Sequence, residues 1–263
     1  MARRSIQLLT AAVLFSLAGT FALLVFPPLW EVFGPWYETL VKAPTWTYMA
    51  VLPIAVALVY LPQLGASLLT KVFLWGTVIG AAAELIGTIT GLPFGTYVYT
   101  GWLGPKIMGH VPWFIPLSWF AMGLVAFDLA GRLVRPGTLR VIVGAAFLTL
   151  WDVSLDPAMS KAFPFWVYPD GGFFYGMPLS NWGGWLLVSF IIMAGFEFLL
   201  GDRKPRAAEA RYLYLINCLF PLGLSALYGL WGAVLAGAVA TAVVMVSTRE
   251  GAALARLKLV LNP

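Results

Sequence analysis

Three acidic side chains lie inside apolar stretches of the sequence and are the first candidates for chemistry: Glu84, Asp152 and Asp156. A charged side chain at the centre of a membrane costs roughly 2.5–3.5 kcal/mol on insertion scales, so each of these residues needs a reason to be there. Carboxyl groups in a water-poor site can donate a proton, accept one, or stabilise a positive charge. Their types and positions therefore indicate acid–base chemistry on an apolar substrate.

Glu84 shares one side of a predicted helix with four small residues. Gly76, Gly80, Glu84, Gly87 and Gly91 are separated by four, four, three and four residues, which puts all five on the same helical face. Small residues allow a neighbouring helix to approach closely, so we expect this face to point into the protein. Two interpretations follow: a buried structural hydrogen-bond acceptor, or a carboxyl group that takes part in proton transfer.

Asp152 and Asp156 are one helical turn apart and so lie on the same face, directly before Pro157. The proline is expected to end the helix, which leaves Asp156 in its last turn. Low dielectric, a neighbouring carboxylate and the negative end of the helix dipole all disfavour two charges here. We therefore predict a proton-donating pair, with helix capping or binding of the following loop as the structural alternative.

Each acidic helix is followed by a long loop rich in glycine, proline and aromatic residues, at residues 91–110 and 157–181. Both loops contain Pro-Phe followed by tyrosine, and aromatic faces stabilise cations in a dry pocket. An aromatic belt at the membrane interface is the structural alternative. The candidates for binding substrate or orienting water are His110, Asn181, Tyr97, Tyr99, Tyr175 and Trp166. A lone histidine such as His110 is also explained as an ordinary hydrogen-bonding residue.

The composition indicates that these elements belong to an integral membrane protein. Apolar residues make up 61% of the 263 residues and charged residues 10%, with a mean hydropathy of +0.88. These values argue against a soluble enzyme or a nucleic-acid-binding protein. A single cysteine and a single histidine exclude an intramolecular disulfide, a cysteine-ligated cluster and a histidine-box iron site. Because no phosphate-binding or dinucleotide-binding motif is present either, we expect no cofactor and no metal.

Hydropathy predicts an all-α, polytopic membrane helix bundle that forms a single domain over residues 1–263. The eight predicted spans are residues 7–29, 46–61, 72–90, 111–131, 141–156, 182–200, 212–229 and 230–248. The first span is longer than a signal-peptide core and is expected to be retained. Eight crossings place both termini on the same side of the membrane.

The distribution of basic residues predicts that this side is the cytoplasm. Thirteen of the sixteen lysines and arginines fall on the side of the termini, and the exceptions are Lys42, Lys106 and Lys161. Basic residues concentrate in cytoplasmic segments of membrane proteins. Asp128 and Glu197 lie near the predicted inner ends of helices, so we interpret them as interfacial charge partners, near Arg132 and Arg203 in sequence.

At this point a family resemblance becomes visible. The segments that carry it are ELIGTITGLPFGTYVYT (84–100), GHVPWFIPLSWF (109–120), WDVSLDPAMS (151–160) and FFYGMPLSNWGGW (173–185). In combination they resemble the membrane carotenoid-biosynthesis family that contains CruF-type carotenoid 1′,2′-hydratases and bacterioruberin-pathway hydratases. The resemblance covers roughly residues 70–200.

The resemblance implies a cofactor-independent hydro-lyase that adds water across the terminal double bond of an acyclic ψ end group. We expect Asp152 and Asp156 to donate the proton and Glu84 to polarise water, with the reverse assignment open. The implied partners are a carotenoid substrate, membrane lipids and other enzymes of the carotenoid pathway, in a prokaryotic cell membrane. A lycopene cyclase-like enzyme and a proton-coupled transporter remain alternatives. The sequence leaves open the particular carotenoid, whether one or both of its ends react, and the oligomeric state.

Overall fold

The computed structural model describes residues 1–203 and 205–249, and it confirms the predicted all-α, membrane-type bundle. The helices are α1 (Ala2–Val25), α2 (Leu29–Phe33), α3 (Tyr37–Thr90), α4 (Phe114–Gly131), α5 (Thr138–Pro157), α6 (Leu179–Leu200), α7 (Ala210–Leu227) and α8 (Trp231–Ser247). By length and composition six helical segments of the described chain could cross a membrane, counting Leu29–Thr90 as one, and α8 is a shorter apolar helix. Eight crossings with cytoplasmic termini stay a prediction.

Helix α3 consists of two antiparallel halves that meet at Gly65, whose φ of 73° is not helical. In the first half, the Trp46 indole donates a hydrogen bond to the carbonyl of Trp102, in the loop that follows the second half. Near Gly65, Gln63 accepts a hydrogen bond from the backbone N–H of Arg206, between α6 and α7. The first and the last residues of α3 therefore lie at the same end of the bundle, beside the 91–113 loop. The two halves correspond to the second and third predicted spans.

The glycine-lined face of α3 packs directly against α4. A Cβ atom on Gly76 would lie 2.9 Å from the Cα of Phe120, and one on Gly80 would lie 2.7 Å from the Cβ of Trp119. Both distances are shorter than van der Waals contact, so a larger residue would push the helices apart. The predicted close approach along this face is confirmed, and it brings Trp119 beside α3.

The two aromatic loops are joined by a short β-ribbon above the acidic helices. Strand β1 (Val98–Tyr99) pairs antiparallel with β4 (Trp166–Val167), so that Tyr99 lies opposite Trp166. A second pair, β2 (Lys106–Ile107) with β3 (Val111–Pro112), closes the first loop before α4. Because side chains alternate along a strand, Tyr99 and Trp166 point to one side of the ribbon and the exposed Val98 and Val167 to the other.

Two ion pairs stabilise the end of the bundle that lies opposite the two aromatic loops. Asp128 pairs with Arg132 at 2.9 Å, as predicted, and Glu197 pairs with Arg140 at 2.5 Å. The expected partner of Glu197, Arg203, instead offers its backbone carbonyl to the Arg140 guanidinium. Arg140 is completely buried between α5 and the end of α6, so it needs both the carboxylate and the carbonyl oxygens there.

Candidate active site

Glu84 lies near the end of α3, is buried, and accepts three hydrogen bonds. Its Oε2 accepts from the hydroxyls of Tyr97, at 2.6 Å, and Tyr99, at 2.8 Å. Its Oε1 accepts from the indole N–H of Trp119 on α4, at 2.9 Å. Both tyrosines come from the loop directly after α3, and Trp119 reaches Glu84 because of the glycine contact between the helices. Three donors compensate for the burial of this carboxyl group.

Asp156 lies in the last α-helical turn of α5 and is also buried and fully hydrogen-bonded. Contrary to the prediction, Pro157 does not end the helical segment, because a π-helical turn continues it over Ala158–Ala162. The indole of Trp166 donates to Oδ1 at 2.6 Å, and the hydroxyl of Tyr168 lies 2.9 Å from Oδ1 and 2.8 Å from Oδ2. The side-chain amide of Asn181, in the first turn of α6, donates to Oδ2. Thus the loop after α5 holds Asp156 as the loop after α3 holds Glu84.

Asp152 is coupled to Asp156 through a shared amide. Asn181 donates to Oδ2 of Asp152 at 3.1 Å as well as to Asp156, so its amide bridges the two carboxyl groups. The other oxygen of Asp152, Oδ1, is buried and has no hydrogen-bond partner among the described residues. The predicted pairing of these two carboxyl groups on one helix face is therefore seen, with Asn181 between them.

Aromatic contacts connect the surroundings of Glu84 to those of Asp156. The ring centroids of Tyr97 and Tyr168 are 6.1 Å apart, and those of Tyr99 and Trp166 are 5.8 Å apart. In each contact one ring belongs to a donor of Glu84 and the other to a donor of Asp156. A single cluster of aromatic donors therefore surrounds both carboxyl groups.

The tyrosine hydroxyls of this cluster are held in their protonated, donating form. Burial, and next the adjacent Glu84 carboxylate, raise the pKa of Tyr97 and of Tyr99 above the ordinary tyrosine value. Burial and the Asp156 carboxylate likewise raise the pKa of Tyr168. Each of these loop side chains consequently remains a hydrogen-bond donor at physiological pH.

Glu84 and Asp156 line the same small cavity, about 40 Å³ in volume. Asn181, Trp119 and Trp185 also line it, and the rings of the two tryptophans stack with centroids 4.2 Å apart. This volume accommodates a water molecule, which needs polar partners of the kind present here. The arrangement can move a proton between carboxyl groups and stabilise a cation beside aromatic faces.

Most of the predicted site residues come together in this cluster. The structure brings together Glu84, Asp152, Asp156, Asn181, Tyr97, Tyr99 and Trp166. Their catalytic or binding roles stay predictions.

Two predicted orienting residues, His110 and Tyr175, do not line the cavity of the candidate site. His110 is exposed in the turn between β2 and β3. The hydroxyl of Tyr175 accepts a hydrogen bond at 3.2 Å from the backbone N–H of Ala233 in the first turn of α8. Neither side chain lines the cavity. An exposed turn and a contact with another helix place both residues away from the buried carboxyl groups.

Sequence reasoning missed two donors, Trp119 and Tyr168. Trp119 lies on α4, one of several aromatic residues in an apolar helix, and nothing in its spacing marks it as a partner of Glu84. Tyr168 did carry a signal, since Tyr-Val-Tyr at 97–99 and Trp-Val-Tyr at 166–168 both follow Pro-Phe. The donors flank a valine in both loops, so comparing the loops would have identified Tyr168.

Comparison with known proteins places the site inside a recognised family. A family model described as "Carotenoid biosynthesis protein" matches residues 45–244, which include every residue of the acidic cluster. A bisanhydrobacterioruberin hydratase from Haloarcula japonica is 30% identical over 204 residues, covering 72% of this chain and 64% of that relative. The chain thus spans less than two thirds of the relative's length, and no solved structure matches it. This chain belongs to the carotenoid biosynthesis protein family.

Proposed function

We propose that this membrane protein is a carotenoid hydratase. The observation that carries the proposal is the pair of buried carboxyl groups, Glu84 and Asp156, that face one small cavity inside the family-matched region. The similarity to a bisanhydrobacterioruberin hydratase supports hydration as the reaction. The substrate is a carotenoid with an acyclic ψ end group, and water adds across its terminal carbon–carbon double bond.

The proton comes from the Asp152–Asp156 pair. Two carboxyl groups that share one amide in a buried site are most stable with a single negative charge between them. The charge is best placed on Asp156, which has three donors, and the proton on Asp152, whose second oxygen has none. Asp156 is the member that lines the cavity, so the proton of Asp152 reaches the substrate alkene through Asp156, and the pair is left without a proton until one returns from Glu84.

Proton transfer to C-2′ forms a C–H bond from the alkene's π electrons and leaves a tertiary cation at C-1′. The rings that line the cavity and the Glu84 carboxylate stabilise this cation. A water molecule then forms the C–O bond, and Glu84 accepts the proton that the water loses. Oε1 of Glu84 has one hydrogen bond, to Trp119, and so keeps a free acceptor position for this step.

The sum of these steps is a tertiary alcohol at C-1′, and no oxidant or reductant is consumed. Transfer of the proton from Glu84 back to the aspartate pair completes the cycle, and water in the cavity provides the route. Tyr97, Tyr99 and Trp166 hold the carboxyl groups in place as donors. In the cell, we place the protein in a prokaryotic cell membrane, where the insoluble substrate reaches it through the bilayer.

Expression in a bacterial strain that accumulates lycopene tests this function. We expect the extracted pigment to include a product heavier by one water molecule, or by two if both ends react, as measured by mass spectrometry. A strain with the empty vector is the control. A ring-containing product of unchanged mass would instead identify a cyclase, and unaltered pigment beside well-expressed protein would count against enzymatic activity.

A further inference from the structure

A second, much larger cavity lies on the same face of the bundle as the acidic cluster. It has a volume of about 390 Å³, which is within the usual range for ligand pockets. Its walls come from α1, the α2 region, the first half of α3, α7 and the loop after α5, and they include Phe15, Gly19, Val41, Phe163, Phe165 and Leu224. We call this cavity the apolar groove.

The apolar groove is suited to a long hydrocarbon ligand. None of the described residues that line it is charged, and most of them are aliphatic or aromatic. On α1 the lining runs from Phe15 to Leu24, which corresponds to roughly 13 Å along the helix axis. These two side chains are also about half exposed, at 54% and 47%, so the groove is open to the surroundings of α1. In a membrane those surroundings are lipid, and a hydrophobic molecule can enter from the side.

One loop segment separates the apolar groove from the acidic cavity. Phe163 and Phe165 line the groove, whereas Trp166 lines the small cavity and donates to Asp156. Consecutive residues of an extended segment point to opposite sides, which explains why Phe165 and Trp166 face different cavities. At this segment the two cavities therefore lie on opposite sides of the chain.

We propose that the apolar groove binds the polyene chain of the carotenoid substrate and directs its end group toward Asp156. This inference rests on the proposed hydratase function. The small cavity, at about 40 Å³, has no room for a polyene chain, so most of the substrate must bind outside it. The groove is apolar, is open beside α1, and is lined in part by the segment that carries Trp166.

Gly19 offers a way to fill the groove without disturbing the helix packing. It lines the groove on α1, and a Cβ atom added to it would have no other atom within 4 Å. Gly183 on α6 also has free space around an added Cβ, but it is exposed and does not line the groove. Gly19→Trp is therefore the test variant, Gly19→Leu a milder form of it, and Gly183→Trp the matched control.

The experiment measures lycopene retained by the purified full-length protein in detergent, by its visible absorption per mole of protein. We expect Gly19→Trp to lower retained lycopene by about tenfold or more, Gly19→Leu to lower it less, and Gly183→Trp to match the wild type. Asp170→Asn should keep wild-type retention, because Asp170 is exposed and lines neither cavity. Thermal unfolding of each variant shows that it is folded.

Equal retention by Gly19→Trp and Gly183→Trp would overturn the groove assignment, even if the wild type hydrates carotenoids. That result would also be expected if the groove held a lipid acyl chain or packed against another helix. Conversely, a wild type that binds lycopene in a Gly19-dependent way but forms no alcohol would support polyene binding while contradicting the proposed function.

Discussion

At the scale of single residues, the three buried carboxyl groups differ in how they are hydrogen-bonded. Glu84 and Asp156 each have three donor side chains, whereas Asp152 has one donor and one oxygen without a partner. Hydrogen bonds from neutral donors stabilise the charged form of a carboxyl group. The donor sets thus favour negative charge on Glu84 and Asp156 and leave the proton on Asp152, which is the starting state of the proposed proton transfer.

Asp156→Asn should abolish alcohol formation, with a loss of at least about 100-fold, because an amide cannot transfer the proton. The measurement is the hydrated pigment formed per unit of membrane protein in a lycopene-accumulating strain. Asp170→Asn is the matched control, since Asp170 lies in the same loop but is exposed and does not line the cavity. Hydrated product at the wild-type level in Asp156→Asn would remove Asp156 from the mechanism.

Glu84→Gln should lower both activity and stability. A glutamine keeps one oxygen to accept from Tyr97 and Tyr99, but its NH₂ group then faces the Trp119 indole N–H, donor against donor. We expect a cost of about 1–3 kcal/mol, seen as a lower unfolding temperature, together with a large loss of product. Tyr97→Phe should have a smaller effect, because Glu84 keeps two of its donors. Greater activity loss in Tyr97→Phe than in Glu84→Gln would contradict this ranking.

The carboxyl groups of the site could be predicted from the sequence, while several of their partners could not. Glu84, Asp152 and Asp156 stand out because charge is rare and costly in apolar segments. Trp119 could not be identified, since only the tertiary contact between α3 and α4 turns its indole toward Glu84. Residue type and a position in the aromatic loops predict His110 and Tyr175 as orienting residues, but neither property determines where a loop side chain points.

At the scale of elements, the site depends on a glycine contact and a short ribbon. The close approach of α3 and α4 at Gly80 puts Trp119 within reach of Glu84. The pairing of β1 with β4 fixes the two aromatic loops relative to each other, so that Tyr99 and Trp166 lie side by side. The helix contact and the strand pairing thus bring together hydrogen-bond donors of the carboxyl groups that are far apart in sequence.

Gly80→Ala tests the close contact between α3 and α4. The new methyl group would lie 2.7 Å from Trp119 Cβ, so the helices must separate and the indole must shift. We expect a destabilisation of about 1–3 kcal/mol, measured by thermal unfolding in detergent, and reduced hydration activity. Gly183→Ala, where the methyl group meets no atom within 4 Å, should behave as the wild type. Equal behaviour of the two variants would show that this contact does not position Trp119.

Hydropathy predicts where the helices lie, but it does not predict where α3 begins. The second span was predicted to begin at residue 46, whereas α3 begins at Tyr37. The additional turns contain Glu38 and Lys42, which form an ion pair one helical turn apart. Charged residues lower the mean hydropathy and so end a predicted span. An ion pair one turn apart nevertheless stabilises the helix, which therefore extends beyond the predicted span.

At the scale of the whole molecule, the site lies at the face with few basic residues. Asp170 and Lys106 belong to the loops around the site, and Arg135 and Arg206 lie in loops at the opposite end of the bundle. The positive-inside rule then predicts that the site is near the outer surface and that Arg135 is cytoplasmic.

Cysteine labelling can test this orientation, because Cys218 is the chain's only cysteine and is buried. In intact cells, a membrane-impermeant maleimide should label Asp170→Cys and leave Arg135→Cys unlabelled until the membrane is permeabilised. Both positions are exposed in the structure, so access depends on the side of the membrane. Labelling of Arg135→Cys in intact cells would reverse the proposed orientation.

The central claim is that a proton from the Asp152–Asp156 pair starts hydration in the buried cavity. The most direct test is incubation of the purified protein with lycopene in water labelled with deuterium and oxygen-18. We predict a product with one oxygen-18 hydroxyl group and one deuterium on the adjacent carbon, located by mass spectrometry of fragments, and no labelled product from Asp156→Asn. An alcohol without deuterium at the adjacent carbon, or labelled alcohol from Asp156→Asn, would contradict the mechanism.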